Sequence, residues 1–227
     1  MRQTMSENAT CLSAITRRKA GGLLIACLGA GLAAVLTAPP ARAALSDAEQ
    51  AKVRQVESYL SSLDTLESHF IQTNEDGSYA TGKLHMHRPG RMRIDYDDPI
   101  PYLIVATGTL FIFVDHQLEE VTHLPLEATP ASLLLRNPIR LGQDVGVREV
   151  LSEGGLLRVT LFQSDAPDAG QVTMVFEENP MRLRQWEIID AQGAQTFVTL
   201  TDPQFGKPQD PELFEFTNPW NRREGGN

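Results

Sequence analysis

At 227 residues, with 20 Lys+Arg against 29 Asp+Glu and a net charge of −9, the chain is acidic and long enough to bury one sizeable core. A surface of that sign repels nucleic acid and anionic membranes. Both cysteines, Cys11 and Cys27, lie in the N-terminal stretch, so the remainder of the chain has no disulfide and no thiol chemistry and must be held by packing alone.

The first 43 residues read as a cleaved export signal. Arg17, Arg18 and Lys19 precede an uncharged apolar run from Ala20 to Ala38, then Pro39-Pro40 and the small-residue site Ala41-Arg42-Ala43, which places the mature start at Ala44. The run is nearly long enough to span a bilayer, but its glycines and the site behind it favour cleavage over an uncleaved anchor. Leu24 to Cys27 resembles a lipoprotein cleavage box, yet the apolar run continues past it, which argues against acylation at Cys27. Arg17-Arg18 suits a twin-arginine signal, whereas Ala20 and Gly21 stand where that pattern wants bulky apolar residues, so either export route fits. Without this segment 15 basic residues face 28 acidic ones, a net −13 over residues 44–227.

A helix opens the mature region. Ser46 and Glu49 form a capping box, and Val53, Val56, Leu60 and Leu63 recur at helical spacing. After Leu63 the period becomes two. Strands are predicted over Leu66–Thr73, Tyr79–His87, Arg91–Tyr96, Tyr102–Ala106, Leu110–Val114, Gln117–His123, Val145–Ser152, Leu156–Gln163, Val172–Glu177, Leu183–Asp190 and Ala194–Leu200, separated by turn signals such as Asp76-Gly77 and Pro89-Gly90. Regular short strands without crossover helices imply an antiparallel meander. Leu213–Phe216 offers a further edge strand.

One segment breaks the pattern. In Leu126–Gly142, Thr129 is an N-cap, Pro130 takes the first helical position, and Ala131–Leu135 continue one or two short helices apolar nearly all round. Their leucines must be buried somewhere. With the Ser46–Leu63 helix they are placed to cover one face of a curled sheet, whose apolar faces include Leu84/Met86 and Met92/Ile94/Tyr96. The expected fold is therefore mainly β: an incomplete, half-open antiparallel β-barrel of about eleven strands with a helical lid. Alternation alone fits a filled core as well as a hydrophobic cavity under that lid.

Alternation also puts Arg88 on the face of Leu84 and Met86, an unexpected place for a guanidinium. The bland reading is that it caps its strand and snorkels to water. His85 and His87 share the opposite face with Lys83 and read as a solvated outer surface rather than a metal pair; no metal or other cofactor is expected. Asp95, Asp97 and Asp98 flank a proline turn in solvent rather than forming a catalytic dyad. There is no G-x-S-x-G, no H-E-x-x-H and no phosphate-cradling glycine loop, so no enzymatic activity is expected.

The ordered set "FIQT" (Phe70–Thr73), "GKLHMHRPGRMRIDY" (Gly82–Tyr96), "DDPIPYLIVATGTLFIFVDHQLEEVTHLPL" (Asp97–Leu126), "TPASLLL" (Thr129–Leu135) and "PELFEFTNP" (Pro211–Pro219), behind a signal peptide, resembles the LolA family of periplasmic lipoprotein carriers. The resemblance implies one domain over residues 44–227, an incomplete barrel with a helical lid, and a cavity for acyl chains. It implies that Arg88 is a latch, bonding lid carbonyls and holding the carrier closed. A guanidinium suits that role, having five donors, no acceptor and no tendency to lose its proton. The candidate ligand-binding residues are Leu84, Met86, Met92, Ile94, Leu133, Leu134 and Leu135, each of which also fits ordinary core packing. Met92 stands where the family places a large aromatic. The implied partners are acylated lipoproteins, an inner-membrane ABC lipoprotein-release complex and an outer-membrane acceptor, served by a monomer. The alternative is a lipid- or peptide-binding sensory module of an envelope stress regulator.

Overall fold

The structure, a computed structural model, describes residues 45–220; the expected export signal and cleavage site, with Cys27, lie outside the described residues. Helix α1 (Asp47–Ser62) starts where the capping box places it: the Ser46 side chain accepts from the Glu49 N–H, and the Glu49 carboxylate returns to the Ser46 N–H. Val53, Val56 and Leu60 form its buried stripe.

Eleven strands follow: β1 (Thr65–Asn74), β2 (Tyr79–His87), β3 (Arg91–Tyr96), β4 (Tyr102–Thr107), β5 (Leu110–Asp115), β6 (Glu120–Pro125), β7 (Val145–Glu153), β8 (Leu156–Gln163), β9 (Gly170–Glu178), β10 (Met181–Asp190) and β11 (Gln195–Phe205). They make one antiparallel sheet in the order β6-β5-β4-β3-β2-β1-β11-β10-β9-β8-β7, with β6 and β7 at its two edges. The chain thus runs out along one half of the sheet, crosses through the lid segment, and returns along the other half until β11 meets β1. The sheet is curled but not closed, as the alternation predicts.

Its inner face carries the core. Leu84 and Met86 pair with Ile94 and Met92 across β2–β3, while Leu157, Val159 and Leu161 pair with Phe176, Met174 and Val172 across β8–β9. Gly82 lets this face curl. The Phe70 ring lies over it, so near that a Cβ would stand 2.7 Å from the ring, and Phe70 then meets Tyr96 edge-on with centroids 5.4 Å apart. Helix α1 is anchored to β10 at a bulge between Leu183 and Gln185. There the Leu183 N–H donates to the Tyr59 hydroxyl at 3.1 Å.

Several expectations need correction. The strand expected at Gln117–His123 is shifted to Glu120–Pro125, because the Asp115 carboxylate accepts from the N–H groups of Gln117 and Leu118 and holds the chain in a turn. Thr129 does not cap α2 (Ala131–Leu135); its hydroxyl donates back to the Leu126 carbonyl, closing a 3-10 turn at Leu126–Ala128, and Pro130 takes the capping position. Leu213–Phe216 adds no strand. Asp210 caps a 3-10 turn over Pro211–Phe214 instead, and the tail crosses the outer face of the sheet. Phe216 and Trp220 cover a second apolar cluster of Leu103, Val105, Ile112 and Val114. The same tail covers the histidines expected in solvent: His85 Nδ1 is 2.8 Å from Gln209 Oε1, and the His87 ring meets Phe214.

Candidate functional site: a helical cover over an apolar cavity

Helix α2 and the 3-10 turn before it lie over the inner face of the sheet. Leu133, Leu134 and Leu135 are all buried, as a short helix with leucine on most sides requires. Beneath the segment lies a cavity of about 260 Å³. Met92, Ile94, Tyr96, Ile104 and Phe111 wall it from β3–β5, Val172, Trp186, Ile188 and Val198 from the returning half, and Pro130, Ala131 and Leu134 from the lid. Gln72, Thr129, Asp190 and Thr196 add polar groups to the wall. Tyr96 donates to Gln72 Oε1 at 2.7 Å; burial, helped by nearby Tyr102, pushes its hydroxyl up to about 12, so it is always a donor.

Of the seven candidate binding residues, Met92, Ile94 and Leu134 stand on the cavity wall. Leu84, Met86, Leu133 and Leu135 lie in the packed core around it, each at most 1% exposed. A larger cleft of about 630 Å³ opens beside the β2–β3 turn, but Glu127, Arg136, Arg140 and Asp144 line it, which makes it a poor place for hydrocarbon.

Arg88 sits at the edge of the lid, only 3% exposed. Its Nη1 donates to the carbonyls of Leu60 and Leu63 (the latter at 3.1 Å), and its Nη2 donates to the carbonyl of Arg136. These carbonyls belong to the C-terminal ends of α1 and α2, where helices run out of intrahelical donors; that of Leu60 also accepts from the Leu63 N–H at 3.2 Å. One planar guanidinium thus ties both helices to the end of β2. Backbone bonds reinforce it: the Arg88 N–H donates to Asp64 O at 2.7 Å and the Gly90 N–H to Leu135 O at 2.9 Å. Burial draws the Arg88 guanidinium down to about 10 against the opposing pull of Asp64, so it stays protonated at neutral pH. Among the described residues its Nε is buried without a partner.

Gln163 was missed by the sequence reading. It ends β8, and its side-chain Nε2 donates to Glu127 O at 2.8 Å and to Ser132 Oγ at 2.7 Å. The signal was present, because Leu157, Val159, Leu161 and Gln163 share the inward parity that drew notice to Arg88.

A family model for the outer membrane lipoprotein carrier protein LolA matches residues 61–217. The chain belongs to the LolA family. Among relatives, an outer-membrane lipoprotein carrier protein of Methylococcus capsulatus is 29% identical over 183 residues, spanning 77% of this chain and 87% of its own. A carrier of the same name from Chromobacterium violaceum is 27% identical over 194 residues, spanning 82% and 93%. An uncharacterised Rickettsia prowazekii protein is 23% identical over 167 residues, spanning 73% and 76%. Among solved structures, a LolA superfamily protein from Nitrosomonas europaea aligns with TM-score 0.42 and 9% identity over 71% of this chain and 97% of its own. The family model carries the LolA assignment, and the curled eleven-stranded sheet under a helical cover is its structural counterpart here. Among the described residues no helix is long and apolar enough to cross a membrane.

Proposed function

We propose that this LolA-family chain is a periplasmic carrier of acylated lipoproteins. Residues 1–43 are its cleaved export signal and 44–227 its single carrier domain. As a monomer it receives lipoproteins from an inner-membrane ABC release complex and gives them to an outer-membrane acceptor. It performs no chemistry and uses no cofactor.

The observation that carries this reading is Arg88: a buried, permanently charged side chain devoted to joining the ends of two helices above an apolar cavity. Such a group costs free energy when buried, and packing alone would hold a permanent core at lower cost. A latch accounts for it, since its bonds to backbone carbonyls can break and re-form.

Magnitudes explain both the need for a carrier and the need for a moving lid. Three acyl chains hold on the order of 45 methylenes, each costing roughly 0.8 kcal/mol in water, which forbids free passage through an aqueous space. A cavity of about 260 Å³ is below the roughly 300–1,000 Å³ of ordinary ligand pockets, so the lid must lift to admit them. Met92, Ile94 and Leu134 then meet the chains first, and Leu84, Met86, Leu133 and Leu135 join the lining as the lid separates from the sheet.

The test is transfer. Purified from the cell envelope, the protein should bring down triacylated lipoprotein in near-stoichiometric amount. Arg88→Leu should keep the circular dichroism spectrum of the parent yet slow hand-over to outer-membrane acceptors at least about tenfold, as expected when bonds to a charged group worth about 1.5–3 kcal/mol each are removed. Unimpaired transfer by that variant refutes the latch. Co-purification with an inner-membrane signalling protein and no lipoprotein refutes the carrier.

A further inference from the structure

We propose that Gln163 is a second tether of the lid, acting from the opposite half of the sheet to Arg88, so that lid opening requires both to let go. The proposal rests on the carrier reading for its purpose, but not for its test.

Gln163 is 7% exposed and sits at the end of β8. Its amide nitrogen reaches Glu127 O at 2.8 Å, Ser132 Oγ at 2.7 Å and Thr129 O at 3.5 Å, which brackets the start of α2. Arg88 holds the far end of the same helix through Arg136 O, with Gly90 alongside on Leu135 O. Between the tethers the five-residue helix is too short to be stable by itself. It is therefore a plank pinned at each end, one pin on the outgoing half of the sheet and one on the returning half.

The two pins differ chemically. Arg88 offers a buried charge bonded to carbonyls of both helices. Gln163 offers one neutral amide donor set directed at the start of α2 alone. Losing these neutral hydrogen bonds, part of whose worth water restores in the open state, corresponds to about a tenfold rise in the open population. Gln163 is accordingly a positioning residue: it sets how often the lid lifts, and it touches the lid rather than the cavity, whose wall it does not form.

The test measures native-state hydrogen exchange of the mature protein at the Gly90 N–H. That group bonds the far end of the lid and does not touch Gln163. In Gln163→Leu, exchange at Gly90 should rise about tenfold, while the amides of β8–β9 stay as in the parent. A merely local packing role would change only residues 127–132. The second variant, Gln163→Glu, guards against misfolding. Its protonated carboxyl can donate one O–H to the same acceptors, whereas its ionised form donates none and faces two carbonyls and a hydroxyl. After correction for intrinsic exchange, Gly90 exposure should therefore climb with pH in Gln163→Glu and stay flat in the parent. Gly90 exchange within twofold of the parent in Gln163→Leu, or a pH-flat profile in Gln163→Glu, overturns the second tether. Uptake of a synthetic tripalmitoylated lipopeptide is measured in parallel. If the parent fails to bind it, the carrier reading falls while the exchange data still decide the tether.

Discussion

A single buried residue can be read by asking what its polar atoms touch. Arg88 bonds helix-end carbonyls, which is why its side chain is tolerated on an inward face; a lysine there would present a compact ammonium that cannot span carbonyls of both helices at once. His87 illustrates the opposite case. Among the described residues its Nδ1 is buried without a partner, and burial, reinforced by the neighbouring Arg91 charge and only partly offset by Asp64, holds its pKa below the usual imidazole value. A base whose pKa is lowered on folding is disfavoured in its charged form. The unfolded chain therefore takes up the proton first, and stability is lost as pH falls from about 6.5 through the lower folded value. Thermal melts at pH 7.5 and 5.0 should show a smaller loss for His87→Gln than for the parent. Arg88, drawn only to about 10, adds no pH dependence between 5 and 8. Of these residues, Arg88 was legible from alternation because a charge at an apolar position is conspicuous. Gln163 obeys the same rule and was overlooked because glutamine ends many exposed strands without remark.

At the scale of elements, the connections decide how the lid is held. The β2–β3 turn approaches the β4–β5 turn so closely that a Cβ on Gly90 would fall 2.8 Å from the Gly108 Cα, and Gly90 has φ of +75°. Both facts demand glycine. Gly90→Ala should cost about 1–3 kcal/mol from backbone strain, lower the melting temperature, and loosen the lid through the Gly90–Leu135 bond; a melt within 1 °C of the parent, on the order of experimental error, counts against that packing. Helix α1 was readable end to end, since a capping box and a 3.6-residue stripe are local signals. The α2 segment was readable as helical and leucine-rich. Its cap was not, because whether Thr129 turns its hydroxyl forward or back to Leu126 depends on how the preceding turn packs. The strand at Glu120–Pro125 shifted for a like reason: one carboxylate, Asp115, captured the turn.

Over the whole molecule, the tail governs the outer face. A sheet that presents Leu103, Val105, Ile112 and Val114 outward would expose an apolar patch of the kind that drives aggregation. Phe216 and Trp220 cover it, and Phe214 covers His87 and stacks beneath Arg91. Deleting residues 207–227 should leave the inner core folded but expose that patch, read as increased binding of an environment-sensitive dye and earlier aggregation on heating. Trp220→Ala, removing part of the cover, should give a smaller change in the same direction. A truncated chain as soluble and dye-silent as the parent would show that the cover is dispensable.

Local order was written in the chain itself. Periodicities of 3.6 and 2, capping residues and glycine turns act over a few residues, so they declared the helix, the meander, the leucine-bearing lid and the inward arginine. Tertiary structure alone decided the rest: which carbonyls Arg88 would meet, that Gln163 would reach the same helix from across the sheet, that only Met92, Ile94 and Leu134 of the candidate residues would wall the cavity, and that the tail would fold over the histidines. Each of these joins residues distant along the chain, and hydrophobic burial, being non-directional, selects a face for a side chain without naming its partner.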